Sequence, residues 1–307
     1  MILKFINLIS KIVYFSKLYI YCLKKMQMQF EKTEKILGKG GYSSVYLCKK
    51  KSSDSNKRYA MKISEENKNS KKNYLLIEFK ILKYLSGGIG IPKVYSFGKE
   101  NNESNDYYLV QQLLGNNLTQ ELKKYKNKIP KEIYINIALQ MISRIEFLHS
   151  RGFIHCDIKP ENFAISLDCN DNKNFTVYLI DFGLAEPYIN LKTKEHKLPK
   201  EQKGHKGTMD YISMNNHMEL SMSRRDDLES LAYCLIYLWC GKLPWSSRYL
   251  RGYNNESILD SKVEFSSYGF DSNSIPKNFK KFLDYVIKLK FEEMPNYKYL
   301  KQLIKEL

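Results

Sequence analysis

One short polar stretch narrows the folds open to this 307-residue chain more than any other feature: residues 154–163 read IHCDIKPENF. Asp157, Lys159 and Asn162 fall within six residues, after a long apolar-periodic segment and before another apolar run. Polar side chains crowded into a loop between two buried elements are either turn formers or groups held there to meet a ligand. Asp and Asn are common turn residues, so the stretch by itself leaves both readings open. Its neighbours decide between them.

Upstream, Ile133, Ile137, Met141, Ile145 and Leu148 recur at spacings of 4, 4, 4 and 3, which predicts a helix over 131–150 that delivers the chain to the polar stretch. Downstream, VYLIDFGLA at 177–185 reads as a buried strand running into Asp181-Phe182-Gly183, with the glycine freeing a carboxylate to aim inward. Nearer the start, ILGKGGYSSVYLC at 36–48 predicts strand, glycine turn, strand. Gly38 and Gly40 let backbone approach a phosphate closely, and Val45 is placed to cover an adenine face.

YAMKI at 59–63 is a short β-like run carrying Lys62. In the helical segment 70–85, Leu75, Glu78, Leu82 and Leu85 share a face, and Glu78 is the only acid between Asn67 and Lys99. An acid on an apolar helical face needs a cation, and Lys62 is the natural partner. Unit charges about 4 Å apart at an effective dielectric near 20 attract by roughly 4 kcal/mol before desolvation. After SGGIGIP come two β-like runs, 91–97 and 107–114. Gln111 is expected at the mouth of a pocket, and 112–114 offer backbone groups to a flat heterocycle.

A carboxylate can accept a hydroxyl proton, a lysine can neutralise a phosphate in transfer, and an amide oxygen with a second carboxylate can hold Mg²⁺; together these are the parts of a phosphoryl-transfer site. The ordered set resembles the protein kinases. HCDIKPEN is similar to H-R-D-L-x-x-x-N with Cys156 for the arginine, GKGGYSSV to the glycine-rich loop with Ser43 for the third glycine, and Lys62 to the V-A-I-K lysine. Instead of A-P-E after DFG, the chain has GTMDYISMNNH, SRRDDLESLAY, LPW at 243–245 and EEMPNYKYLKQL. With SGGIGIP and QQLLGNNL, these resemble the casein kinase I group, Ser213-Met214-Asn215 replacing A-P-E.

The resemblance covers 30–307 and implies an α+β, two-lobed fold: a small β-rich lobe over about 30–114 and a larger helical lobe over about 115–307. It implies a serine/threonine kinase using ATP and Mg²⁺ on protein substrates. Asp157 is then the proton acceptor, Lys159 sits at the transferring phosphate, and Asn162 and Asp181 ligate metal. Leu37, Gly38, Gly40, Val45, Lys62, Glu78, Gln112 and Leu114 line the nucleotide site, and Asp227 braces the catalytic loop. Lys62, Glu78, Asp157, Asn162 and Asp181 are expected to converge on one cleft.

Three departures from the group's pattern carry expectations. Cys156 removes a cation that grips a phosphorylated activation segment, so regulation by such phosphorylation is not expected; Asp157 beside it should raise the thiol pKa. Asp210 stands where the group carries an anion-binding arginine, which should weaken preference for phospho-primed substrates. A chain ending at Leu307 is expected to lack autoinhibition by a long polar tail. Ser43 and Cys156 also keep open an alternative, a pseudokinase scaffold that only binds partners.

Formal charge is +17, and up to Val110 there are 21 Lys+Arg against 9 Asp+Glu, so +12 of it lies ahead of the polar stretch. Neither a stacking motif nor a zinc framework accompanies the charge, so nucleic acid is not the expected partner. The six cysteines form no C-x-x-C pair, which fits reduced thiols and a cytoplasmic location, with nuclear or peripheral-membrane residence as alternatives. Residues 1–29 form a basic, amphipathic extension with Lys4, Asn7, Lys11, Tyr14, Lys17 and Lys24 near one stripe. That is too interrupted for a spanning helix, which needs about 20 apolar residues. Three readings stay open for it: peripheral membrane contact through 1–25, translation beginning at Met26 or Met28, or a helix packed on the domain. A monomer is expected.

Overall fold

The computed structural model describes residues 29–40, 43–51, 56–64, 73–99, 106–167, 174–246, 255–268 and 274–307. The expectations for the leading extension lie outside them. Contacts divide the chain into two compact units, one reaching Phe79 and including Lys93–Leu113, the other comprising Lys80–Pro92 and Leu114–Leu307. The architecture is mixed α+β, with a β-sheet unit first and a mainly helical unit after it.

The first unit is an antiparallel sheet in the order β1-β2-β3-β5-β4, from β1 (Phe30–Lys39), β2 (Ser43–Lys50), β3 (Arg58–Ser64), β4 (Val94–Lys99) and β5 (Tyr107–Gln112). Period-two alternation sends Tyr59, Met61 and Ile63 into a core with Phe30, Cys48, Tyr108 and Val110. Lys62 therefore points to the other face. Register places Gly38 opposite Val45, Val45 opposite Lys62, and Lys62 opposite Leu109, a single row across four strands. Helix α1 (Tyr74–Tyr84) buries Leu75, Glu78 and Phe79, and Phe79 stacks on Phe97 with centroids 4.2 Å apart.

Two strand boundaries differ from the sequence expectation. The run expected over 91–97 enters the sheet only at Val94, because Pro92 has no N–H and the Ile91 N–H turns back to Gly88 O at 3.2 Å. The run expected to reach residue 114 leaves the sheet after Gln112.

In the second unit, α2 (Leu118–Lys124) starts on a reciprocal cap between Asn117 and Gln120. Helix α3 spans Lys131–Ser150, as its periodicity predicts, and Ile137, Met141, Ile145 and Leu148 are completely buried. Two short antiparallel pairs follow: β6 (Phe153–Ile154) with β9 (Glu186–Pro187), and β7 (Phe163–Ile165) with β8 (Val177–Leu179). The strand expected to run into Asp181 ends at Leu179, just ahead of it, where Asp181 turns left-handed (φ 63°) and Phe182–Leu184 forms a 3-10 turn. Helices α4 (Met214–His217), α5 (Arg224–Cys240), α6 (Asn255–Tyr268), α7 (Lys277–Lys288) and α8 (Tyr297–Lys305) complete the unit. Among the described residues no helix is long and apolar enough to cross a membrane, and Cys48, Cys156, Cys234 and Cys240 are free thiols.

A buried lysine fixes the chain ahead of α4. Lys262, on α6, is fully buried, and its Nζ donates to Met209 O (3.0 Å) and Ile212 O (2.6 Å) and meets His217 Nε2 at 2.9 Å. The rings of Tyr233 and Trp245 lie 4.8 and 5.5 Å from the same nitrogen. Burial pushes the Lys262 pKa down to about 7, and the other ring nitrogen of His217, Nδ1, meets Asn255 Oδ1. Burial, with Lys262 second, pushes the His217 pKa down to about 4.

That depressed pKa gives stability a pH dependence of definite sign. Between about pH 6.5 and 4 the unfolded imidazole takes up a proton that the folded one refuses, so stability falls on acidification through this window. The full loss from this group is up to about 3 kcal/mol. Urea unfolding at pH 7, 5.5 and 4.5 should show the decline, and His217→Asn should flatten it; an equally steep decline in the variant would reject the assignment.

Candidate active site

In the sheet unit, Lys62 Nζ contacts Glu78 Oε2 at 2.7 Å, with side-chain exposures of 10% and 2%. The expected pair is therefore made. A buried ion pair adds little net stability because desolvation offsets attraction, but it does fix where a lysine can point. Gly38 and Val45 share the row of Lys62. A Cβ built on Gly38 would meet nothing within 4 Å, and one on Gly40 would meet only Ser43 O at 3.7 Å. Packing therefore does not demand glycine at either position, whereas a phosphate lying against the backbone would.

Leu37 is exposed and Val45 half-buried beside these glycines. Gln112 offers less than expected: its N–H is committed to Lys93 O at 2.8 Å. Leu114 carries no backbone hydrogen bond among the described residues, so its N–H and C=O remain available.

The polar loop of the helical unit is built on Asp227 from α5. Its Oδ2 accepts the His155 N–H (2.7 Å) and its Oδ1 the Cys156 N–H (3.0 Å), as expected of a brace. Oδ2 also takes the Nε2–H of His149 (3.0 Å), whose Nδ1 accepts from Tyr297 Oη (2.7 Å). Burial lowers the His149 pKa in spite of that carboxylate. With both amides held, Cys156 adopts φ 65°, a left-handed conformation costing about 1–2 kcal/mol for a residue with a Cβ.

This turn presents Asp157. Its Oδ1 accepts from Thr208 Oγ1 (2.9 Å), and its Oδ2 lies 2.8 Å from Lys159 Nζ and 3.1 Å from Asn162 Nδ2. Lys159 Nζ also donates to Thr208 Oγ1 at 2.8 Å, closing a triangle of carboxylate, ammonium and hydroxyl. The Asn162 Nδ2 donates a second time to Asp157 O (2.7 Å), which leaves Oδ1 as the amide's remaining acceptor. Pairing of β7 with β8 sets the backbone just before Asp181 beside that of Asn162: the Ile180 N–H donates to Asn162 O at 2.9 Å.

Gly207, just before Thr208, is required by space as well as by φ +95°: a Cβ there would meet Cys156 O at 2.7 Å. Sequence reasoning quoted GTMDY but passed over Thr208. The glycine ahead of it in GTMDY was the only local signal available. The reason given for an inert Cys156 also needs correction. Its pKa is raised well above the ordinary value by burial first and by Asp227 next, not by Asp157.

The residues fit a magnesium–nucleotide complex. Asn162 Oδ1 and the Asp181 carboxylate are hard oxygen donors on adjoining backbone, the number Mg²⁺ takes from protein when phosphate oxygens and water complete its shell. Among the described residues there is no cluster of three or more His, Cys, Asp or Glu side chains that would instead cage a metal by itself. A family model described as the protein kinase domain matches residues 31–303.

Removing the Asp227 carboxylate would orphan two buried N–H groups and release a strained turn. Asp227→Ala should lower unfolding free energy by about 3 kcal/mol. Equilibrium urea denaturation should read this as a lower midpoint at unchanged slope; an unchanged midpoint would mean that the turn holds itself.

Proposed function

Because the chain belongs to the protein kinase family, we propose that it is an active serine/threonine kinase of the casein kinase I group, transferring the γ-phosphoryl of Mg-ATP to protein hydroxyls. The observation that carries this reading is the Asp157 triangle, in which one carboxylate oxygen already receives a hydroxyl proton while an ammonium stands 2.8 Å away. A substrate serine or threonine hydroxyl that takes up the contact made by Thr208 donates its proton to Asp157 as its oxygen attacks. Lys159 meets the charge gathering on the transferring phosphoryl group. Lys62, steered by Glu78, holds the nucleotide phosphates beneath the glycine turn. Asn162 and Asp181 would hold Mg²⁺, which would supply positive charge to offset that of the phosphates. The protein's share of the work is thus positioning and charge neutralisation.

Substrate choice follows from Asp210. Its backbone oxygen accepts from Trp245 Nε1 (2.7 Å), and its side chain lies 3.4 Å from Ser246 Oγ. A carboxylate at this position repels phosphate, which supports activity on unprimed sites. With Cys156 in place of a phosphate-gripping cation, activity also needs no activation-segment phosphorylation.

The pseudokinase reading is favoured by Ser43 and Cys156, but neither change removes the proton acceptor, a metal ligand or a phosphate lysine. Transfer of radiolabelled phosphate to a serine peptide should drop at least about 100-fold in Asp157→Asn, the usual worth of a general base. Equal signals from both proteins would establish the scaffold instead. Separately, kcat/KM on primed and unprimed versions of one peptide should agree within a few-fold, and Asp210→Arg should shift the ratio about tenfold toward the primed one, roughly 1.4 kcal/mol. A strong primed preference in the unaltered protein would refute the substrate assignment.

A further inference from the structure

Helix α6 turns Ile258, Lys262 and Phe265 into the core, at spacings of 4 and 3 that belong to one helical face. A lysine in the middle of such a stripe is costly, and this one is fully buried. What it gains is a set of acceptors on the turn ahead of α4: Met209 O and Ile212 O lie 3.0 and 2.6 Å from Nζ. A carbonyl between them is taken as well, since Asp210 O accepts from Trp245 Nε1 at 2.7 Å. Trp245 in turn packs against Phe265 and Tyr233, with ring centroids 5.4 and 5.0 Å apart. The turn is thus held by its carbonyls, from α6 and from the segment after α5.

The same turn carries the site's hydroxyl. The Tyr211 and Ile212 N–H groups donate to Thr208 O (2.8 and 3.1 Å), while Thr208 Oγ1 donates to Asp157 Oδ1 and accepts from Lys159 Nζ. Lys262 therefore reaches the Asp157 carboxylate in three steps: amine to carbonyl, turn to Thr208, hydroxyl to carboxylate. The link does not depend on charge. With its pKa pushed down to about 7 by burial, Lys262 is an ammonium or an amine near neutral pH. An ammonium offers three N–H donors; an amine keeps two for the carbonyls and a lone pair for an Nε2–H of His217, 2.9 Å away.

We propose that Lys262 is a positioning residue for phosphoryl transfer: it holds the 208–212 turn as the seat against which a substrate serine or threonine is laid, and so keeps Thr208 in register with Asp157 and Lys159. The role rests on the kinase reading, because only there does the Thr208 contact mark where an acceptor hydroxyl stands. A misplacement of about 1 Å in such a seat costs on the order of 100-fold in rate. The rival is a lysine that merely fills space. Beside the rings of Tyr233 and Trp245 an unbranched apolar side chain would fill that space without the desolvation cost, so space-filling has no use for an amine.

Lys262→Met keeps an unbranched side chain and removes every N–H. In the full-length variant, kcat/KM for a serine peptide should fall at least about tenfold with a raised peptide KM, while hydrolysis of ATP to water stays within about threefold. A lysine that only supports the fold would lower both rates in one proportion. Hydrogen exchange reads the anchor without catalysis: the Tyr211 and Ile212 amides should exchange at least about tenfold faster in the variant, with those of α3 unchanged. In the unaltered protein the same two amides should exchange within about tenfold of the buried α3 amides, a measurement that stands even if Lys262→Met does not fold. Equal peptide kcat/KM in the two proteins, parallel loss of both rates, or fast exchange at Tyr211 and Ile212 in the unaltered protein would overturn the proposal and leave the kinase reading intact. Absence of any transfer by the unaltered protein would refute the kinase reading instead, and faster exchange in the variant would then keep Lys262 as the anchor of the turn alone.

Discussion

One buried carboxylate holds the helical unit's chemistry in place. Asp227 is 1% exposed, and its two oxygens accept two consecutive backbone amides and the His149 imidazole. That single group ties α5 to the loop bearing Asp157, to the end of α3 through His149, and to α8 through Tyr297. Tyr188 Oη adds a bond to His149 O at 2.7 Å, drawing in the segment after β9. A carboxylate in such surroundings is worth its desolvation cost only when every lone pair is used, and here the constraint also sustains the left-handed turn at Cys156.

The segment from 206 to 217 is organised by the same logic. Asn216, fully buried, accepts from Gln202 Nε2 (3.0 Å) and donates to Lys206 O (2.7 Å), while Lys262 fixes Met209 and Ile212 from below. Ser213 Oγ donates to Asp226 at 2.6 Å, and Glu229 takes the Met214 N–H at 2.8 Å and the Tyr233 hydroxyl at 2.7 Å. Burial raises the pKa of Asp226 and pushes that of Glu229 up to about 7. The Tyr211 and Ile212 N–H groups both donate to Thr208 O (2.8 and 3.1 Å), so the residue whose hydroxyl bridges Asp157 and Lys159 is tied into this fixed segment.

Much of this was legible before any coordinates, and the reasons differ by residue. Helix α3 was readable to its ends because five apolar residues repeat at helical spacing, a local signal that packing had no cause to override. Glu78 was readable because an acid on an apolar face has few ways to be stable, and it found Lys62. A boundary failed where one residue's backbone dominated: Pro92 delayed β4. Thr208, Asn216 and Lys262 were not singled out, since a threonine, an asparagine and a helix lysine are ordinarily solvated. Their burial depends on partners far along the chain, such as the 53 residues separating Lys262 from Met209.

The sequence alone determined which polar groups stand at costly positions and in what order, because charge on an apolar face and glycine at an open turn are costly enough to be local evidence. The α+β division was implied by the resemblance of its motifs to the protein kinases, and a sheet unit followed by a mainly helical unit bears it out. Tertiary structure decided what those groups touch: that Asp157 is held between a lysine and a threonine hydroxyl, and that a lysine of α6 is a core residue. Hydrogen bonds between distant segments form only once the apolar core has excluded water, so no reading of neighbouring residues could have assigned them.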